Sequence, residues 1–212
     1  IVTTVATVTS DYTGFGVTCN GASDGTLSST PGGGVGSYTY SWDTDPSTGV
    51  VSTDQTPTGL PAGDYVVTVT DANGCEATST PVTITEPTPV TSDEAVTSDY
   101  NGFGVSCHPS SGTNNDGTTS GTAGGGAGGY TYEWNTVPVS SVVSTDQNPI
   151  GLTPGDYTVT VTDANGCEAT STSVTITEPP IVTTVAAVTS DYTGFGVTCN
   201  GASDGTLSST PG

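Results

Sequence analysis

The stretch LPAGDYVVTVTDANGCEATSTPVTITEP at Leu60–Pro87 returns as LTPGDYTVTVTDANGCEATSTSVTITEP at Leu152–Pro179. Pro-Ala-Gly or Thr-Pro-Gly opens each copy with a turn, where glycine accepts backbone angles that other residues avoid. Side chains then alternate with the period of a β-strand. Tyr65, Val67 and Val69 share one face, and Tyr157, Val159 and Val161 are their counterparts. The other face reads Val66, Thr68, Thr70 in one copy and Thr158, Thr160, Thr162 in the next. A position that accepts either Val or Thr faces water, so the Tyr-Val-Val face is the expected core face. Asp71–Gly74 and Asp163–Gly166 then supply Asn-Gly, a strong hairpin signal. A return strand alternates Val82 and Ile84 with Thr83 and Thr85. Each copy reads as a hairpin closing a β-domain.

The rest of the chain repeats with it. Ser10-Asp11-Tyr12 recurs at Ser98-Asp99-Tyr100 and Ser190-Asp191-Tyr192, at steps of 88 and 92 residues. The longer step falls in one loop, where Asn20–Asp24 is replaced by His108–Asp116. Residues 181–212 repeat 1–32 with one change, Thr7 to Ala187, so the order is A, B, A. Expected boundaries are 1–88 for a first domain, 89–180 for a second, and 181–212 for the leading part of a third. The sequence reads as an excerpt of a longer polypeptide. Glu86-Pro87-Thr88-Pro89 and Glu178-Pro179-Pro180 join the domains. Proline fixes its own φ and restricts its neighbour, so these linkers are short and stiff.

The charge is one-sided: 21 Asp and Glu, no Lys or Arg, one His, net −21. Such a chain has no basic groups for neutralising nucleic-acid phosphates, and anionic membrane surfaces repel it. Lys–Asn isopeptide cross-links are impossible. The only side-chain ion pair available is through His108. No run is apolar enough for a membrane-spanning helix. At 31% hydrophobic residues the cores are modest.

Five cysteines stand at fixed places: Cys19 and Cys75, Cys107 and Cys167, then Cys199. Each full repeat has two and the partial repeat has one, with separations of 56 and 60 residues. Those spacings differ from the close pairs of zinc sites. The expected disulfides are Cys19–Cys75 and Cys107–Cys167, with the partner of Cys199 beyond the chain end. Closing loops of that size contributes about 4 kcal/mol in the chain-entropy model, and it implies an oxidising, extracellular location.

Along each domain, residues 1–9 read as a first strand, and Phe15, Val17 and Cys19 as the inner face of a second. A short strand follows near Leu27, with Thr119 as its counterpart, and then come Gly-rich loops at Pro31–Gly36 and Ala123–Gly129. Tyr38, Tyr40 and Trp42 share a face of the central strand, as do Tyr130, Tyr132 and Trp134. Trp42 and Trp134 are the expected core anchors. Val50–Ser52 and Val142–Ser144 form one more short strand. About seven strands in about 90 residues is the size of an immunoglobulin-like sandwich, and Tyr65 sits where such folds keep a tyrosine corner, with Tyr157 as its counterpart. The expected fold is all-β, with immunoglobulin-like domains in tandem, end to end.

Several motifs resemble the SprB repeat family. They are DYTGFGVTCNGASDG at 11–25, YTYSW at 38–42 and LPAGDYVVTVTDANGCEA at 60–77, then DYNGFGVSC at 99–107, YTYEW at 130–134 and LTPGDYTVTVTDANGCEA at 152–169. The resemblance departs at His108–Asp116. It implies a very large extracellular cell-surface protein of gliding Bacteroidetes-type bacteria, a mobile adhesin exported by type IX secretion. It brings no catalytic residues.

Nothing in the chain resembles a catalytic constellation: His108 is the only histidine, and the first repeat has no equivalent. Calcium is the one cofactor the residues suggest, through loop oxygens. Asp71 with Asn73 and Asp163 with Asn165 flank the hairpin turns, where they can equally serve only the turn, and Glu86 would meet Asp163 at a junction. Two function classes stay open. One is a structural stalk or filament, whose partners are neighbouring repeats and lateral copies of itself. The other is a module that recognises glycan or a surface. Neither implies nucleic acid or membrane insertion.

Overall fold

A computed structural model describes residues 1–108, 115–139, 141–190, 197–199 and 203–211. The described residues form β-strands, turns and bends and contain no helix, so the chain is all-β. The first repeat holds β1 (Val2–Val8), β2 (Leu27–Gly33), β3 (Thr39–Thr44), β4 (Gly63–Thr70), β5 (Glu76–Thr78) and β6 (Val82–Ile84). The second holds β7 (Thr91–Val96), β8 (Gly117–Gly124), β9 (Thr131–Val137), β10 (Val142–Ser144), β11 (Ile150–Leu152), β12 (Gly155–Thr162), β13 (Glu168–Thr170) and β14 (Val174–Ile176). β15 (Thr184–Val188) and β16 (Leu207–Pro211) follow.

β4 is the centre of the first repeat. It pairs antiparallel with β3, from Thr39↔Thr70 to Thr44↔Tyr65. Its other edge carries β5 and β6 in succession. The expected hairpin is therefore present between β4 and β5. Its return strand is broken at Ser79, which is buried and exchanges bonds with β4: Val67 N–H donates to Ser79 Oγ, and Ser79 N–H donates to Val67 O. A second sheet pairs β1 with β2 over all seven residues. In the second repeat one sheet has the order β10-β9-β12-β13, with β14 also on β12, and another has the order β11-β8-β7. β15 pairs with β16.

The expected core faces are buried. Tyr65 is 2% exposed, Val67 and Val69 are fully enclosed, and Trp42 is 0% exposed. They cluster with Val2, Val17, Leu27, Leu60 and Ile84. Trp134, Tyr157, Val159 and Val161 are buried equally well. The Tyr65 hydroxyl donates to Pro61 O at 2.9 Å, the upstream backbone bond that defines a tyrosine corner. With the buried tryptophan on β3, this gives the repeat an immunoglobulin-like signature.

By packing, the chain divides into two compact units. One comprises residues 1–95, 120–147 and 157–174; the other comprises 96–119, 148–156 and 175–212. This division follows contacts, whereas the boundaries at 88/89 and 180/181 follow the sequence period.

Three local expectations need correction. Residues 15–19 are a looped segment and not a strand. Thr13 and Gly14 turn the chain at φ 52° and 92°, and the consecutive amides of Gly16 and Val17 both donate to Thr85 O, which a ladder strand cannot do. The Gly-rich stretch at Pro31 begins inside β2, because Thr4↔Pro31 and Val2↔Gly33 remain paired. Val50–Ser52 makes a single bridge, Trp42↔Ser52, while its counterpart Val142–Ser144 is a strand with a bulge.

Candidate functional site: the junction of the Cys19 loop and the Cys167 turn

Each hairpin turn is organised by its aspartate. Asp71 is 6% exposed, and its Oδ1 accepts the amides of Asn73 and Cys75, both at 2.9 Å. Its Oδ2 accepts the amide of Val35 at 3.0 Å. The Cys75 amide, then that of Val35, holds the carboxyl below its ordinary pKa against the opposing effect of burial. Asp163, also 6% exposed, accepts amides from Ala127, Asn165 and Cys167 at 2.8, 2.9 and 2.9 Å. Burial pushes its pKa up, but the amides of Ala127, Cys167, Asn165 and Gly166 outweigh it, and the net direction is down. Gly34 touches this arrangement at φ +61°: a Cβ there would lie 2.6 Å from Asp71 Oδ2 and 2.7 Å from Val2 Cγ2.

The loop after Tyr12 is built separately. Gly14 N–H donates to Asp11 Oδ1 at 2.8 Å, and the Ser10 hydroxyl donates to Gly16 O at 2.6 Å. Asp24 receives the Thr18 amide and hydroxyl at 3.1 and 2.7 Å. Asn20 Nδ2 donates to Pro87 O at 3.1 Å, and Gly21 N–H donates to Glu86 Oε2 at 2.7 Å. The Cys19 loop is thus fastened to the end of its repeat at which the chain leaves.

The loop of the first repeat and the turn of the second meet within one compact unit. Cys19 and Cys167 form a disulfide, with a Cα–Cα separation of 5.7 Å across 148 residues of sequence. Asn165 Nδ2 donates to Tyr12 O at 3.2 Å and to Thr18 O at 3.0 Å. The Thr13 hydroxyl lies 3.0 Å from Asn165 Oδ1 and 2.7 Å from Tyr12 O, so its one proton is shared between them. Cys167 Sγ lies 3.2 Å from Thr18 O. Around the disulfide lies an open cleft of about 380 Å³, edged by Asn20, Pro89, Val90 and Glu168.

The expected pairing Cys19–Cys75 is therefore corrected to Cys19–Cys167, and Cys107–Cys167 cannot form beside it. β4 supplies the reason. It begins next to Ile84, at the Cys19 end, and runs eight residues before reaching the Asp71 turn. That is a rise of about 26 Å, against the roughly 7 Å limit on Cα atoms that a disulfide can bridge. Cysteines 19 and 75 stand at opposite ends of one repeat. Cys75, Cys107 and Cys199 are exposed and outside any disulfide.

The calcium candidates are also rearranged. Glu86 is occupied by Gly21, while Asp71 and Asp163 are filled by backbone N–H groups, whose positive ends repel a cation. Asn73 serves its turn through its backbone amide, and Asn165 uses its whole side-chain amide on the Tyr12–Thr18 loop. Among the described residues no group of three or more His, Cys, Asp or Glu could hold a metal ion. His108 Nε2 lies 3.5 Å from Glu178 Oε1. Residues 109–114 of the insertion, expected at a junction, lie outside the described residues. Trp42 and Trp134 are 0% exposed and present no stacking face to a sugar. What sequence reasoning missed is the role of Tyr12, Thr13 and Thr18 as receivers of Asn165. Their polar groups carry no motif that would have marked them.

Residues 17–47 match the SprB repeat. This stretch contains Cys19, β2, β3 and Trp42. No curated protein matches the chain. Among solved structures it is similar to the amphioxus IgVJ-C2 molecule at 16% identity, covering 69% of this chain and 91% of that one, with a TM-score of 0.30. It is similar at 14% identity to the N-terminal eight Ig domains of Down Syndrome Cell Adhesion Molecule, covering 82% of this chain but 26% of that one, with a TM-score of 0.34. A C-terminal intimin fragment, in complex with the intimin-binding domain of its translocated receptor, shows 16% identity over 78% of this chain and 61% of that one, with a TM-score of 0.30. TM-scores this low fix no shared geometry.

Proposed function

We propose that this chain is a non-enzymatic structural segment of a large extracellular, cell-surface adhesin-type protein. In this reading, immunoglobulin-like domains at 1–88, 89–180 and from 181 onward follow one another as a semi-rigid stalk. The observation that carries it is the junction itself: a disulfide and the Asn165 amide join the loop of one repeat to the turn of the next. A stalk has to resist bending where its domains meet, and this contact does so with covalent and directional bonds. The disulfide fits an oxidising compartment. The SprB match over 17–47 supports a surface protein of the kind associated with gliding and type IX export. The aspartates of both turns and the Asn165 side chain hold backbone, which suits a module whose work is shape.

Small-angle scattering tests the proposal. An oxidised stalk segment keeps one pair-distance distribution from low to physiological salt, although −21 charges are being screened. Reduction should broaden that distribution. If the oxidised chain changes its maximum dimension with salt as a freely jointed pair would, the stalk reading fails.

A further inference from the structure

The turn that follows the first strand of each repeat shapes a cleft. Residues 98–104 read SDYNGFG, and residues 10–16 read SDYTGFG. Asn101 and Gly102 reverse the chain at φ 57° and 91°, with Tyr100 and Phe103 bridged across them. The Ser98 hydroxyl donates to Gly104 O at 2.6 Å, and Gly104 N–H donates to Thr177 O and Thr177 Oγ1. A Cβ on Gly104 would lie 2.8 Å from Ile176 Cγ2, so bare backbone rests on the core there. Between this turn and the end of β14 lies an open cleft of about 280 Å³, lined by Val96, Asp99, Phe103, Thr175 and Thr177.

Three of the lining side chains have capacity left for a ligand. Phe103 is half-buried. Asp99 is exposed; its Oδ1 accepts Gly102 N–H at 2.7 Å, while among the described residues its Oδ2 has no bonding partner. The Thr177 hydroxyl accepts Gly104 N–H and keeps its own proton to donate. Thr175 is already committed, donating to Asp156 Oδ1. The first repeat has the same residues at Val8, Asp11, Phe15, Thr83 and Thr85, with the same bonds around Gly14 and Gly16. Each has the same degree of exposure as its counterpart. The loop of that first repeat carries the Asn165 turn, so these residues stay accessible when the junction is made.

We propose that each cleft binds one neutral hexopyranose unit of a glycan. Phe103 or Phe15 lies against a C–H face of the sugar ring, Asp99 or Asp11 accepts from its hydroxyls, and Thr177 or Thr85 donates to one. An apolar ring with a few placed polar groups is the makeup of a small-ligand pocket. A pyranose offers the matching pair, an apolar face and a polar edge. The net charge of −21 and the aspartate itself disfavour uronic and sialic acids. A cleft of this size takes one sugar residue, so a single site is weak. The same cleft on successive repeats converts weak sites into avidity for a glycan-coated surface. Sugar binding is additional to the stalk reading and does not depend on it.

Nuclear magnetic resonance titration of the full, isotope-labelled, oxidised chain tests this, with methyl α-glucoside, methyl α-mannoside and methyl α-galactoside as probes. With at least one of them, the amides of Gly102, Phe103 and Gly104 should shift and saturate together with those of Gly14, Phe15 and Gly16. Glucuronate and the cation Nα-acetyl-lysine amide should not reproduce the shifts. Asp99→Asn can still accept Gly102 N–H, and it should weaken binding at the second repeat about tenfold. Phe103→Leu keeps an apolar side chain and should abolish binding there. In both variants the first repeat should bind as before, and an unmoved Trp134 indole signal should report a folded second repeat. Asp11→Asn should give the converse result. Failure of all three methyl glycosides to shift these amides would overturn the proposal. So would shifts with the cationic probe alone, or undiminished affinity in Asp99→Asn.

Discussion

Removing the Cys19–Cys167 link should cost this protein much of its thermal margin. The bond closes 148 residues of sequence. In the chain-entropy model that loop restricts the unfolded chain by about 5 kcal/mol. For a chain of this length each kcal/mol moves the melting midpoint by roughly 2–4 °C, so Cys19→Ser or Cys167→Ser should lower it by about 10–20 °C. Cys75→Ser is the matched control: its side chain is exposed and unbridged, and the midpoint should hold. Calorimetry on the oxidised chain, the reduced chain and the three variants reads this directly. The pairing needs its own measurement, and trypsin is useless on a chain without Lys or Arg. Cleavage before aspartate places all five cysteines on separate peptides, with Cys19 on 11–23 and Cys167 on 163–190. The non-reduced digest should show those two joined. A digest joining 11–23 to 71–92, or a midpoint indifferent to reduction, would refute the argument from β4 that places Cys19 and Cys75 at opposite ends of a repeat.

Other measurements probe the repeat itself. Trp42→Ala and Trp134→Ala should each destabilise by about 3–5 kcal/mol in denaturant titrations, since both side chains are fully buried and each indole N–H is bonded to an aspartate carbonyl; unchanged stability with altered sugar binding would make them ligand contacts instead. Asp71 and Asp163 have folded pKa values below the unfolded one, so their contribution is complete above the unfolded value of about 3.9 and is lost as pH falls through the folded value. Asp71→Asn should lower the melting midpoint at neutral pH and shrink its own deficit on acidification; a deficit that is constant with pH would deny the carboxylate its role. Millimolar calcium should raise the midpoint no more than sodium chloride of matched ionic strength, because N–H donors already fill the candidate carboxylates; a calcium-specific increase would show that a cation site exists.

The sequence made the core legible because burial on a strand has a simple period. Tyr65, Val67 and Val69 alternate with positions that tolerate Val or Thr, and no other face of that stretch can be interior. Trp42 follows from the same spacing on β3. Residues 15–19 misled because Phe15, Val17 and Cys19 alternate as a strand would, yet only Val17 is fully enclosed. The amides of Gly16 and Val17 share a single carbonyl, Thr85 O, and that of Thr18 goes to Asp24; acceptors outside a ladder leave no trace in local periodicity. Asp71 and Asn73 were legible as a turn. That Asp71 also reaches back to Val35 depends on the chain passing close by at Gly34, which composition alone cannot tell.

Cysteine parity has the same limit, and its failure says something about the molecule. Two cysteines per repeat satisfy a rule of pairing within repeats and a rule of pairing between successive repeats equally well. What separates the rules is where each cysteine sits along β4. Cys75 lies in the turn beyond the last residue of that strand, and the Cys19 loop lies beside its beginning, next to the Glu86-Pro87 exit. A repeat so arranged has a loop cysteine at its trailing end and a turn cysteine at its leading end. In the loop, the Asn20 amide is already spent on Pro87 O of its own repeat. Loop to turn brings the Asn165 amide onto the Tyr12 and Thr18 carbonyls. The junction therefore has a direction: one repeat gives the loop and the other gives the turn, a heterologous contact.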